Sequence, residues 1–216
     1  MAIFKLFRFL TTAALFSFIL LNAHASDSTP QQLIVTVSDK LENDLLSQSD
    51  KLKDNPQLTI DLIEKHLVPN INFPLMSRYV LGKNWKKTNS EQKEEFIRLF
   101  HSLLVKFYSK AFVKYLQSNN IDKGMIEFLP FRGKSNSKYA TVKSKLSHKS
   151  NAPPIAVHYQ LYNGKTKGWK VYDINVEGIS LVTSYRSSFN KLIKQKGMQG
   201  LIAELQNKID KLNQEI

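Results

Sequence analysis

The sequence predicts an α+β fold with an antiparallel sheet, and three observations carry that prediction. Apolar residues recur at helical spacing from Leu33 to Tyr115, alternate with polar ones between Met125 and Val176, and return to helical spacing from Phe189 onward. Gly, Ser, Asn and Pro turns separate the alternating runs. Strands grouped between two sets of helices, not interleaved with them, pair with their neighbours in sequence.

Each element has its own signal. Leu33 or Ile34, Val37, Leu41, Leu45 and Leu52 predict an amphipathic helix over residues 31–53. Asn55-Pro56 reads as an N-cap with proline at the first helical position; Leu58, Leu62, Ile63 and Leu67 form the stripe of that second helix, and Pro69 stops it. A short helix over 72–82 bears Phe73, Met76, Tyr79 and Val80. Thr88-Asn89-Ser90-Glu91 fits a capping box that opens the longest helix, 91–117, with Phe96, Phe100, Leu103, Leu104, Phe107, Phe112 and Tyr115 on its stripe. Strands are expected at Met125–Arg132, Tyr139–Leu146, Ile155–Tyr162 and Trp169–Val176, with Ile179–Val182 extending the last one beyond an irregularity at Gly178. Helical spacing resumes with Phe189, Leu192 and Ile193, and after Gly197 a final helix carries Met198, Leu201, Ile202, Leu205, Ile209 and Leu212.

Composition bounds the function. With 42% hydrophobic and 23% charged residues among 216, and only 8 Gly and 7 Pro, collagen-like, low-complexity and wholly disordered classes are excluded. The absence of cysteine removes disulfide scaffolds, thiolate metal sites and cysteine nucleophiles together. At the N-terminus, Lys5 and Arg8 precede an apolar stretch from Phe9 to Leu21, and Ala23-His24-Ala25 offers small residues at the −3 and −1 positions of a signal-peptidase site. The stretch falls short of the roughly 20 residues a bilayer span needs. Residues 1–25 are therefore read as a signal peptide cleaved after Ala25, and 26–216 as a single exported domain. The formal charge of +13 becomes +11 once Lys5 and Arg8 leave with the signal peptide, and in an exported chain it favours anionic lipid surfaces or an acidic partner over nucleic acid.

Catalytic patterns are sparse. His66, His101, His148 and His158 have no metalloprotease spacing, and Gly178-Ile179-Ser180 runs on to Leu181-Val182, which is no nucleophile elbow. No phosphate-cradling loop can be built from the glycines, and no cluster suggests a metal or cofactor. Asp173, in a predicted strand, invites a general-base reading; the competing reading is a buried acid paired with Arg78 or Arg186.

Two blocks then identify a resemblance. Asn72-Phe73-Pro74-Leu75-Met76-Ser77-Arg78-Tyr79-Val80-Leu81-Gly82-Lys83-Asn84-Trp85, followed by Gln92, Phe96 and Phe100, is one. Gly168-Trp169-Lys170-Val171-Tyr172-Asp173-Ile174-Asn175-Val176-Glu177-Gly178-Ile179-Ser180-Leu181-Val182, followed by Tyr185, Arg186 and Phe189, is the other. Together they resemble the MlaC family, the periplasmic phospholipid-binding proteins of the maintenance-of-lipid-asymmetry system, also called the toluene-tolerance family. Asn72 departs from the family's usual aspartate. The resemblance implies an NTF2-like curved antiparallel sheet whose surrounding helices enclose an apolar pocket, periplasmic location, and no catalytic, metal or cofactor site. It implies phospholipid as cargo, carried between an outer-membrane lipoprotein–porin complex and an inner-membrane ABC transporter with an MCE-type subunit.

The apolar residues expected to line the pocket are Met76, Val80, Leu81, Phe100, Leu104, Tyr108, Val142, Val157, Tyr159, Val171, Ile174 and Ile179. Arg78 and Arg186 are the candidate contacts for a lipid phosphate, or partners of Asp173 and Glu177 in buried ionic pairs. An ordinary packed core would use the same apolar residue types. Two other readings stay open: an exported NTF2-like enzyme using Asp173 on a small apolar substrate, and a ligand-free adaptor that binds a protein partner.

Overall fold

The computed structural model describes residues 29–119, 121–133, 137–147, 153–164 and 168–214; the expected signal peptide and His148 lie outside them. Helix α1 (Pro30–Ser47) starts with a reciprocal cap, the Thr29 hydroxyl accepting from the Gln32 N–H while the Gln32 side chain accepts from the Thr29 N–H. The helix expected to run unbroken over 31–53 ends at Gln48, where Ser47 and Gln48 both turn their side chains back to the Asp44 carbonyl. A short α2 (Ser49–Asp54) completes that stretch. Asn55 caps α3 (Pro56–His66) as the sequence predicts, and Asp44 ties it to α1 by accepting from Lys65 at 2.8 Å and facing His66 Nε2 at 2.7 Å.

Helix α4 (Phe73–Leu81) is capped by Asn72, whose Oδ1 accepts the Leu75 N–H at 3.0 Å. An amide oxygen thus does the capping at the position where the resembled pattern has a carboxylate. The predicted capping box before α5 (Ser90–Ser118) is displaced by one residue. Asn89 is the cap, accepting from the Gln92 N–H at 2.8 Å, while the Thr88 hydroxyl donates backward to the Asn84 carbonyl and closes the preceding 3-10 turn.

Five strands, β1 (Ile126–Phe128), β2 (Tyr139–Leu146), β3 (Ile155–Gly164), β4 (Gly168–Val176) and β5 (Ile179–Ser180), form one antiparallel sheet in sequence order. β1 is far shorter than the expected Met125–Arg132. Pro130 has no N–H to continue the ladder, and the Phe131 N–H donates to Gln31 Oε1 of α1 instead of to a strand. The expected extension to Val182 is also corrected. Glu177 and Gly178, at φ 49° and 82°, make a two-residue turn between the paired Val176 and Ile179, and α6 (Leu181–Gln214) begins immediately after β5. Gly197 breaks α6 with φ 70° and ψ −178°, a conformation essentially confined to glycine, where the sequence places the start of a separate final helix.

Among the described residues, burial is divided among three clusters. One joins α4, α5 and α6 through residues such as Met76, Val80, Phe96, Phe100, Phe189 and Leu205. The second holds Ile34 of α1 against Ala140, Val142, Leu161, Trp169 and Val171 of the sheet. The third packs α1, α2 and α3 on the end of α5 through Leu45, Leu52, Leu62 and Leu116. None of the helices among the described residues is long and apolar enough to cross a membrane.

A graded apolar sheet face as candidate functional site

Strand register assigns every sheet residue to one of two faces, because directly opposed residues project the same way. On one face lie three successive apolar rows: Ala140–Leu161–Val171, then Val142–Tyr159–Ile174, then Phe128–Ser144–Val157–Val176–Ile179. A fourth row, Ile126–Leu146–Ile155, ends the face. Exposure rises from the α1-covered end of the face toward the β4–β5 edge. The first row is buried under α1; in the next two, Val142 and Ser144 of β2 stay buried, Tyr159, Ile174 and Val157 are partly exposed, and at the β4–β5 edge Val176 is 44% and Ile179 67% exposed. Uncovered aliphatic surface in continuous rows is what an apolar ligand requires and what packing normally removes.

The face also holds a polar pair that the sequence reading missed. Ser144 is buried in the third row, its hydroxyl donates to the Val157 carbonyl at 3.3 Å, and it neighbours the Tyr159 hydroxyl on the same face. Burial raises the Tyr159 hydroxyl above its usual pKa, with Ser144 acting in the opposite direction. A serine in a strand that alternates Ala140, Val142 and Leu146 carries no signal of such a pairing until register is known.

The expected pocket residues fall into separate groups. Val142, Val157, Tyr159, Val171 and Ile174 share the apolar sheet face. Met76, Val80, Leu81, Phe100 and Leu104 instead fill the helical cluster, closed in by Phe96, Leu99 and Phe189. Periodicity cannot separate a wall from a packed interior, which is why both sets look alike in sequence. Tyr108 is half exposed on α5 and stands near Tyr185; burial first, and then Tyr108, push the Tyr185 pKa well up.

Asp173, Arg186 and Glu177 have structural partners. Asp173, 9% exposed, accepts from the Ser180 hydroxyl at 2.6 Å and from the Val182 N–H at 3.0 Å. Its two oxygens therefore anchor the first turn of α6, where the helix dipole favours a negative charge. The expected pairing with Arg78 or Arg186 is replaced by this cap. Arg186 Nε donates to the Tyr79 carbonyl at 2.7 Å, holding the end of α4, and Arg78 is exposed in the last turn of α4. Glu177 stands at the β4–β5 turn, where its carboxylate accepts the Ala156 N–H.

On the opposite face the sheet is polar. A bulge between Gln160 and Leu161 leaves Tyr172 as the unpaired extra residue of β4, with its ring 6.0 Å from Tyr139 and 5.3 Å from Tyr79.

Comparison with known proteins places this architecture. Residues 35–207 match the family model described as MlaC protein. The chain is 26% identical over 196 residues to the intermembrane phospholipid transport system binding protein MlaC of Haemophilus influenzae, covering 90% of this chain and 89% of that protein. It is 25% identical over 171 residues to the toluene tolerance protein ttg2D of Pseudomonas putida, covering 78% and 75%. A phospholipid-binding protein from Ralstonia solanacearum, solved in complex with a phospholipid, superposes with a TM-score of 0.72 at 26% identity, over 85% of this chain and 98% of that one.

Proposed function

The chain belongs to the MlaC family, and from that premise we propose that it is a periplasmic phospholipid carrier, taking phospholipid between an outer-membrane complex and an inner-membrane transporter. The observation that carries the reading is the apolar sheet face, buried at Val171 under α1 and opening toward Val176 and Ile179 at the β4–β5 edge. Two acyl chains present roughly 28–30 methylenes, each costing about 0.8 kcal/mol in water. Unassisted transit would thus face a penalty on the order of 20 kcal/mol. A carrier offsets most of it by covering the chains with apolar side chains, and it must release them again, so covalent or metal attachment would be a disadvantage. On this reading Val157, Tyr159, Ile174 and Val176 contact an acyl chain, and the Ser144–Tyr159 pair meets its polar end.

Expression of the full chain in a Gram-negative host, followed by native mass spectrometry and lipid extraction, tests the proposal. Stoichiometric phospholipid retained through purification supports it, and the protein mass reports whether residues 1–25 are removed. Protein that is lipid-free and fails to extract phospholipid from vesicles overturns it.

A further inference from the structure

We propose that the polar face of the sheet is a docking surface for an anionic phospholipid bilayer. This goes beyond cargo binding, which concerns the other face. Register puts Tyr139, Thr141, Lys143 and Lys145 of β2 on the polar side, opposite Tyr162, Gln160, His158 and Ala156 of β3. Lys143 and Lys145 are exposed, as are Lys138 and Arg132 beside them, and no ion pair engages these four among the described residues. The acids of the face offset them weakly. Asp173 is committed to α6, Glu177 spends its carboxylate on the Ala156 N–H opposite Lys145, and Glu127 stands across from Lys145 on β1, so two exposed acids sit at this end of the face against four cations.

The uncharged members of the patch point the same way. Tyr139 is 49% exposed and holds its ring tilted against Tyr162, 5.1 Å between centroids. Lysine beside half-exposed tyrosine is the composition of a membrane–water interface, where the aromatic body sits among headgroups and the ammonium meets phosphate. The neighbouring Tyr79 hydroxyl lies 3.5 Å from that of Tyr139 and continues the aromatic edge of the patch. A groove of about 630 Å³ runs beside the Leu129–Gly133 loop, with Arg132 and Lys143 on its walls and Thr141 and Gln160 in its lining, room enough for a headgroup. Lys143 and Lys145 alternate with Ser144 and Leu146, so the cations stand on the same stretch of β2 whose other side belongs to the open apolar rows.

The test is sedimentation of the full chain with phosphatidylcholine vesicles, pure or mixed with phosphatidylglycerol at roughly three parts in ten, at low and high salt. Binding is expected only to the anionic vesicles and to disappear at about 1 M salt, where screening acts within about 3 Å. K143Q/K145Q should lower the partition coefficient about 30-fold, since each lysine near an anionic surface contributes a factor of several. K191Q/K194Q, which removes the same net charge from exposed positions of α6, should change it less than about threefold. Equal binding to neutral vesicles, no salt effect, or equal losses in the two variants would overturn the proposal. So would indifference to vesicles combined with binding of polyglutamate that K143Q/K145Q abolishes, which would assign the face to an acidic protein segment. Unchanged thermal melts of both variants separate these outcomes from unfolding.

Discussion

In the helical layer, Phe100 lies 5.1 Å from the Tyr185 ring and 5.9 Å from Phe189, with no surface left to solvent. In the sheet, Val157, Ile174 and Val176 are residues of the same chemical kind on equally regular elements, and they keep part of their surface open. The difference is one of partners. Helices α4, α5 and α6 supply complementary ridges to one another, whereas α1 covers only the first rows of the sheet face. Apolar area spent on packing stabilises the fold; apolar area left in a continuous lane is available to a ligand.

Substitutions can break this division or sharpen it. The largest effects belong to the packed side. Val171 is buried and its carbonyl accepts the Asn72 N–H at 2.7 Å, so Val171→Asp places an unpaired charge in the core and should abolish folding, read as loss of the cooperative denaturation transition. Phe100→Ala should cost about 3–5 kcal/mol by urea unfolding while the surviving folded protein keeps its lipid. Lipid loss at unchanged stability would move Phe100 from core to wall.

Asp173→Ala comes next, with about 1–2 kcal/mol lost because the first turn of α6 forfeits its acceptor. Full stability in that variant would dissolve the tie between the two regions. Val157→Asp should cost about 1 kcal/mol or less, since Val157 belongs to none of the three buried clusters, yet empty the protein of phospholipid in native mass spectra. Retained lipid would remove Val157 from the lane. The smallest effect is a pH dependence within the packed side. Burial holds His101, 4.1 Å from the Phe73 ring, below its ordinary 6.5, with Glu64 opposing. The folded state therefore binds that proton less readily than the unfolded chain, so stability is full above about 6.5 and declines as the pH falls below it. His101→Gln should flatten that decline in denaturation midpoints measured across the range.

Much of the fold is legible in the sequence because helices and strands announce themselves by local period. The boundaries that were misplaced depend on competition between local hydrogen bonds: Gln48 turning back on Asp44, Asn89 outbidding Thr88 as a cap, Pro130 ending β1. The candidate site is half legible. The alternation in β2 and β3 marks an apolar face, but the row that joins Val142, Tyr159 and Ile174 exists only through register. The bulge at Tyr172 shifts that register by one residue and leaves no mark in composition. Asp173 was visible as an acid in a strand; its partner, the start of α6, was hidden because Leu181-Val182 reads equally well as strand.

The ties that join the helices to the sheet have a kinetic consequence. Gln31 to Leu129, Gln31 to Phe131, Lys170 to Pro69 and Arg186 to Tyr79 span 98, 100, 101 and 107 residues respectively. Each closes a loop whose entropy must be surrendered before the contact rewards it, so these bonds form late in folding. The hairpins β2–β3 and β3–β4 pair residues much closer in sequence and assemble first. Until α1 and α4 arrive, both edges of the sheet and its whole apolar face stand uncovered. The nascent chain therefore passes through a stage at which that face can meet any hydrophobic surface, and the rate at which α1 and α4 dock, more than final stability, sets how much of it aggregates.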